Sequence, residues 1–276
     1  MIEEKVKKHK QHHFPRIPWY GWVGAIIFLG LHLGLYKLGC FISEKIISDY
    51  WSVNPKIPGI DNGIPYTPYF FVEIYFLSYL FWFIVPLIVS TGKKENFINF
   101  MIYSTSAYIV GFIWLILMPS YMNREADEHL TQKIADIKTP VTKWLAELIL
   151  KMDGNSAIAW NLCPSYHCLS SALCAFALIN EKEHHIATRI CVYVMAFLIC
   201  CSTVLVKQHY FADILGGVGI ATIAYLPIKL CKVGERIMVN NPLFLKTKHL
   251  TKTDVIKAED ANEATKTERE EQIKKK

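Results

Sequence analysis

Long apolar segments constrain this chain more than any other feature of its sequence. Six segments meet or approach the roughly 20 residues that a helix needs to cross about 30 Å of hydrocarbon. They cover residues 21–40, 70–90, 99–118, 165–180, 190–206 and 211–230. An open sheet cannot satisfy its backbone polar groups in lipid, and the alternating pattern of a membrane barrel is missing. The predicted fold is therefore an all-α, polytopic membrane helix bundle with about six transmembrane helices.

The charged residues between these segments predict how the bundle is oriented. Lys and Arg occur in the N-terminal segment, at Lys93 and Lys94, within 181–189, and in the C-terminal tail. With six spans these regions share one side, which the positive-inside rule makes cytoplasmic. The localisation expected is a multi-pass protein of the cell membrane with both termini cytoplasmic. The expected domains are a basic cytoplasmic segment (1–18), a six-span membrane domain (19–236) and a charged, disordered cytoplasmic tail (237–276).

The net charge of +6 does not indicate nucleic-acid binding, because most Lys and Arg residues lie in the tails and loops. The expected partner is the lipid bilayer, and no nucleic-acid partner is expected. A metal site is an alternative, built from Cys163, His167, Cys168, His209 and Asp213. However, Cys-x4-Cys is an unusual spacing for zinc, and no second cysteine pair accompanies it. We therefore expect no metal and no cofactor.

The long segment before the fourth span contains an amphipathic pattern. Thr139 and Pro140 are typical of a helix start, and Gly154 of a helix end. Apolar residues recur between them at helical spacing: Val141, Trp144, Leu145, Leu148 and Met152. The pattern predicts a short helix that lies either on the membrane surface or against the spans as a lid.

Two outer segments carry the residues that indicate chemistry. His209 and Asp213 are four residues apart, so on a helix they share a face. The carboxylate can then fix the imidazole tautomer and leave the other nitrogen as a nucleophile or base. A helix-end histidine that merely satisfies an aspartate is the simpler alternative. His167 follows Pro164 and Ser165 where a helix N-terminus favours an anion. Two histidines, one tied to a carboxylate, beside an anion site indicate phosphoryl transfer.

Two cations on the same side are candidates for binding phosphate oxygens. Arg124 follows the third span, and arginine binds such oxygens bidentately. Its alternative role is an interfacial contact with lipid headgroups. Lys207 lies two residues before His209, and its alternative is snorkelling to the interface. We predict catalytic roles for His209, His167 and Asp213, and phosphate-binding roles for Arg124, Ser165 and Lys207.

These motifs resemble those of the type 2 phosphatidic acid phosphatase superfamily, six-span membrane enzymes related in their core to vanadium haloperoxidases. The family's second motif is Pro-Ser-Gly-His, and this chain has Pro164-Ser165-Tyr166-His167. The third is Ser-Arg, five residues, His, three residues, Asp. This chain has Ser202-Thr203, five residues, His209, three residues, Asp213. The resemblance covers roughly 19–227.

The chain departs from the family's motifs at several positions. The first motif has Lys, six residues, then Arg-Pro, whereas this chain has Leu117, six residues, Arg124 and Glu125. Thr203 replaces an Arg, and Tyr166 replaces a Gly. These departures resemble the branch that includes inositolphosphotransferases and sphingomyelin synthases, where a lipid hydroxyl can replace water as the acceptor.

The resemblance implies a mechanism. His209 would attack phosphorus to form a phosphohistidine, Asp213 would orient it, and His167 would protonate the leaving alkoxide. The expected protein is an integral membrane lipid-phosphate phosphatase or phosphotransferase that acts on a membrane lipid phosphate at the extracytoplasmic face. One alternative is a headgroup transferase of inositolphosphotransferase or sphingomyelin-synthase type. An alternative of another class is a catalytically degenerate lipid-binding membrane protein or transporter.

Overall fold

Helices form most of the chain in the computed structural model, which describes residues 16–47, 51–124, 129–152, 158–160, 162–179 and 181–240. The helices are α1 (Trp19–Ile42, continued by a π-helical turn at Ser43–Ile47), α2 (Pro58–Asp61), α3 (Phe71–Ser90), α4 (Lys94–Leu117), α5 (Leu130–Ala135), α6 (Pro140–Met152), α7 (Tyr166–Ala177), α8 (Ile186–Leu205), α9 (Phe211–Leu230) and α10 (Val233–Asn240). Two short strands, β1 (Tyr121–Asn123) and β2 (Ile158–Trp160), pair antiparallel. The predicted all-α bundle is confirmed.

Five of the described helices are long and apolar enough to cross a membrane: α1, α3, α4, α8 and α9. The protein is therefore a multi-pass integral membrane protein. The fourth apolar segment forms a shorter helix than its composition predicts. This helix, α7, has 12 residues, which at 1.5 Å per residue makes it about 18 Å long. That length is well short of the roughly 30 Å of hydrocarbon.

The short helix α7 lies at the centre of the bundle, in contact with α3, α4, α8 and α9. Its polar side chains are satisfied by these neighbours. The Ser170 hydroxyl lies 2.7 Å from Nδ1 of His32 and 2.8 Å from the Tyr108 hydroxyl. The Ser171 hydroxyl accepts a hydrogen bond from Nε1 of Trp82 at 3.1 Å. Such bonds between helices satisfy polar groups that lipid cannot, and they fix α7 against α1, α3 and α4.

Helix α9 approaches α7 most closely at Gly217. A Cβ atom there would lie 2.5 Å from the Ser165 carbonyl oxygen and 2.9 Å from the Leu169 amide nitrogen. We expect Gly217→Ala to separate the two helices and to lower the free energy of unfolding by about 1–3 kcal/mol, as overpacking does. The thermal midpoint in detergent, followed by circular dichroism, measures the effect. Gly219→Ala on the same helix is the matched control, since a Cβ atom there would have no described heavy atom within 4 Å apart from its chain neighbours and the backbone of its own helix. Equal losses in both variants would contradict the packing explanation.

The predicted amphipathic helix is present as α6, and it packs on the bundle. Thr142 is buried and donates a hydrogen bond to Oε1 of Glu73 on α3 at 2.8 Å. Val141 and Trp144, from the predicted apolar stripe, remain exposed. The helix therefore covers α3 as a lid while it keeps an apolar face outward. The predicted end at Gly154 lies outside the described residues.

Different helices begin and end at the two ends of the bundle. At one end α3 ends and α4 begins, and Asn96 of α4 donates a hydrogen bond to Glu181 after α7. At the other end α4 and α8 finish and α7 and α9 begin. The candidate site lies at this second end. The chain from Lys232 onward is a separate unit, in which the structure describes α10. Most of the predicted terminal segments lie outside the described residues.

Candidate active site

His209 and Asp213 lie side by side at the junction of α8 and α9. Nδ1 of His209 is 3.0 Å from the Leu162 carbonyl oxygen and 3.4 Å from Oδ2 of Asp213. A carbonyl oxygen only accepts, so Nδ1 carries a proton, and in the neutral imidazole Nε2 is then the nitrogen with the lone pair. Both side chains are buried. The arrangement holds an imidazole in the tautomer that a nucleophile requires.

The turn between α8 and α9 fixes the position of this pair. The amides of Gln208 and His209 both donate to the Thr203 carbonyl, at 2.9 Å and 3.1 Å, and so close the end of α8. Asp213 lies in the first turn of α9, where its Oδ2 accepts a hydrogen bond from the Tyr210 amide at 2.8 Å. A carboxylate is stabilised at a helix N-terminus. The imidazole and the carboxylate are therefore each fixed by backbone groups.

The N-terminus of α7 brings His167 and Ser165 to the same site. Ser165 is the N-cap residue, and its hydroxyl accepts a hydrogen bond from the Cys168 amide at 3.4 Å. The Ser165 amide donates to the Asp213 carbonyl at 3.0 Å, which ties the first turns of α7 and α9 together. The ring centroids of His167 and His209 are 5.9 Å apart. The structure thus groups the three predicted catalytic residues with Ser165.

Aromatic side chains of α3 hold the His167 ring. Tyr75 stacks on it at a centroid distance of 4.3 Å, and Trp82 lies edge-on at 5.0 Å. Tyr79 lies 6.0 Å away. Nε2 of His167 is buried and has no hydrogen-bond partner within the described part of the chain. The ring is therefore fixed by stacking, and its Nε2 is a buried nitrogen whose hydrogen-bonding capacity is unused among the described residues.

A pocket of about 300 Å³ opens beside His209. Arg124 and Gln208 lie on its wall, both buried. Nη2 of Arg124 donates to Oε1 of Gln208 at 2.5 Å. A guanidinium oriented beside the candidate nucleophile suits an anionic group, because its fork of N–H donors matches phosphate oxygens.

Lys207 is not among the described residues that line the pocket. Its ammonium group donates to the carbonyls of Ile64 at 2.6 Å and Asp61 at 3.4 Å. The Asp61 carboxylate accepts from the Phe211 amide at 2.9 Å and the Ile57 amide at 2.6 Å. Lys207 and Asp61 therefore brace the start of α9. The structure brings Arg124 to the pocket beside His209 but not Lys207.

Three residues of the site were missed from the sequence. Gln208, which orients Arg124, stands next to His209 in the third motif, and that adjacency was a usable signal. Tyr75 and Asp61 act through contacts between segments far apart in the chain. No local pattern indicates such contacts.

A mixed thiolate–imidazole metal site gains no support from the geometry. Burial, aided by the nearby Asp213 carboxylate, raises the pKa of the Cys163 thiol to about 12. Over the described residues, no three His, Cys, Asp or Glu side chains are grouped to hold a metal ion.

Comparison with known families places this geometry in context. Residues 63–227, more than half of the chain, match the model of the PAP2 superfamily. The matched region contains α3 to α8, most of α9 and every predicted site residue, whereas α1 precedes it. No curated protein and no solved structure shows significant similarity to the chain. On the strength of the family match, and in agreement with its motifs, the chain belongs to the PAP2 superfamily.

Proposed function

We propose that the protein is an integral membrane lipid-phosphate phosphatase or phosphotransferase that works through a phosphohistidine at His209. Its family makes it a membrane enzyme of the phosphatase or phosphotransferase type. The observation that carries the covalent mechanism is the hydrogen bond from Nδ1 of His209 to the Leu162 carbonyl, with Asp213 adjacent. With Nδ1 as the donor, Nε2 is the nitrogen that has the lone pair in the neutral imidazole, on a residue that lines the pocket.

The reaction proceeds in two steps. In the first, Nε2 of His209 attacks phosphorus, the N–P bond forms as the P–O bond to the lipid breaks, and His167 gives its proton to the departing alkoxide. Asp213 stabilises the charge that develops on the imidazole. In the second, water or an alcohol gives a proton to His167 and attacks phosphorus, which frees His209. Arg124 and the N-terminal amides of α7 stabilise the phosphoryl oxygens.

A headgroup transferase is the second candidate, favoured by the aromatic composition of the pocket wall. Tyr36, Phe41 and Trp160 line the pocket together with His209. These side chains offer a lipid alcohol an apolar place beside the phosphohistidine, where it would compete with water as the acceptor.

We assign the pocket to the extracytoplasmic side of the cell membrane. Arg124 and His209 follow the C-terminal ends of α4 and α8. Lys94 and Arg189 lie at the N-terminal ends of the same two helices, and so at the other end of the bundle. The positive-inside rule supports a cytoplasmic location for that basic end.

The experiment that tests the proposal follows labelled phosphate through the purified protein in mixed micelles. Phosphatidic acid and phospholipids labelled with 32P in the phosphate are supplied with and without a lipid alcohol. We expect an acid-labile, base-stable phosphoenzyme that is discharged by water, by the alcohol, or by both. Released phosphate identifies a phosphatase, and a labelled new lipid identifies a transferase. A protein that binds these lipids but forms no phosphoenzyme with any of them contradicts the covalent mechanism.

A further inference from the structure

The first helix, which precedes the family match, forms one wall of the pocket. Tyr36, Lys37, Cys40 and Phe41 recur at helical spacing on α1, and Glu44 follows in the π-helical turn. All five line the same pocket as Arg124 and His209. The contents of the pocket are therefore bounded by α1 on one wall and by the α8–α9 turn on another.

Lys37 supplies a positive charge on this wall. Its ammonium group donates to the carbonyl of Met152, the last residue of α6, at 3.1 Å. It also lies 5.9 Å from the ring centroid of Tyr36. A helix C-terminus stabilises a nearby cation through its carbonyls and dipole. An ammonium group has three N–H donors, so the bond to Met152 positions the group without using all of them.

The charged side chains that line the pocket include more cations than anions. Lys37 and Arg124 are both cations, and Glu44 is a carboxylate that forms an ion pair with Lys45 at 3.0 Å. Two of the three charged side chains on the walls are therefore cations, and they come from different segments of the chain. A phosphoryl group spreads negative charge over its non-bridging oxygens during transfer, so cations on separate walls are complementary to it.

We propose that Lys37 is a substrate-binding residue that holds the phosphoryl oxygens of the lipid substrate from the α1 wall of the pocket that also contains Arg124 and His209. This proposal rests on the proposed function. Because Lys37 contacts the phosphate before and during reaction, its main effect is on binding, and so on KM more than on kcat. If Lys37 only reached the membrane interface, or only formed its hydrogen bond to α6, its replacement would leave KM unchanged.

The test uses three substitutions in the full chain, with dioctanoyl phosphatidic acid in mixed micelles as the probe. Lys37→Gln keeps a donor for the Met152 carbonyl but removes the charge, and we expect KM to rise about tenfold, as loss of a charge-assisted hydrogen bond does. The inhibition constant for inorganic phosphate should rise by a similar factor. Lys37→Arg should restore both values to within about threefold, since it keeps the charge and donors.

The matched control is Lys143→Gln. Lys143 also donates to a backbone carbonyl, that of Ala135 at 3.0 Å, but it is not among the described residues that line the pocket. We expect this variant to keep the wild-type KM, and the thermal midpoints of all three variants to stay near that of the wild type.

The outcomes separate the two proposals. A wild-type KM and wild-type inhibition by phosphate in Lys37→Gln would overturn the binding role. Lys37 would then have only a structural role, its hydrogen bond to the end of α6. Failure of Lys37→Arg to restore binding would overturn it as well, because charge is what the proposal requires. A wild-type protein with neither turnover nor phosphoenzyme would instead overturn the proposed function, and this inference with it.

Discussion

Replacement of His209 by Asn is expected to abolish phosphoenzyme formation and to lower turnover by more than about 10³-fold, because the nucleophile is lost. The Asn amide can donate to the Leu162 carbonyl as Nδ1 of His209 does, so the variant keeps the local hydrogen bond and loses only the attacking nitrogen. Trapping of 32P on the protein from labelled phosphatidic acid, together with the steady-state rate, measures both effects.

The matched control for this variant is His129→Asn. His129 is exposed and adopts a left-handed backbone conformation with φ of 47°, which Asn accepts readily. It should label and turn over like the wild type. Full labelling of His209→Asn would show that another residue carries the phosphoryl group, and would contradict the assignment of His209.

Replacement of His167 by Gln should separate acid catalysis from the rest of the mechanism. General acid catalysis contributes about 10²–10⁴-fold where the leaving group needs a proton. For phosphatidic acid, whose leaving group is an alkoxide, we expect kcat/KM to fall by that factor. For p-nitrophenyl phosphate, whose phenolate leaves without protonation, we expect much less loss.

The second half-reaction provides an independent check on His167. Without its base the water or alcohol is activated poorly, so p-nitrophenyl phosphate should give a burst of nitrophenol followed by slow turnover and accumulated phosphoenzyme. Equal loss of kcat/KM on both substrates, with no burst, would mean that His167 acts through packing alone. Tyr75 stacks on the His167 ring, so the loss of this packing is the specific alternative to the loss of acid catalysis.

Much of the fold was predictable because lipid imposes length and composition on every span. The apolar segments at 21–40 and 70–90 correspond closely to α1 and α3. The segment at 165–180 was predicted to be a full span from its apolar composition. A helix buried among other helices has the same apolar composition as a helix that faces lipid, so composition does not distinguish the two. Helix α7 is surrounded by other helices, so its apolar residues face protein and its serines find partners there.

The candidate site was predictable where chemistry follows spacing along the chain. The four-residue interval between His209 and Asp213 placed them together, as helical geometry requires. Lys207 was less predictable, because its closeness in sequence to His209 suggested a shared role. The backbone φ of Lys207 is 54°, and its side chain donates hydrogen bonds to loop carbonyls instead of lining the pocket. Lys37 gave no local signal, since its role depends on how α1 packs.

The bond from the Ser165 amide to the Asp213 carbonyl, with the close contact at Gly217, has a dynamic consequence. It ties the first turns of α7 and α9 together, so we expect the separation of His167 from His209 to change little when a substrate binds. If a lipid enters this pocket, we expect the movement that admits it to fall on the walls built from α1 and α6, where the Lys37 ammonium group donates to the Met152 carbonyl.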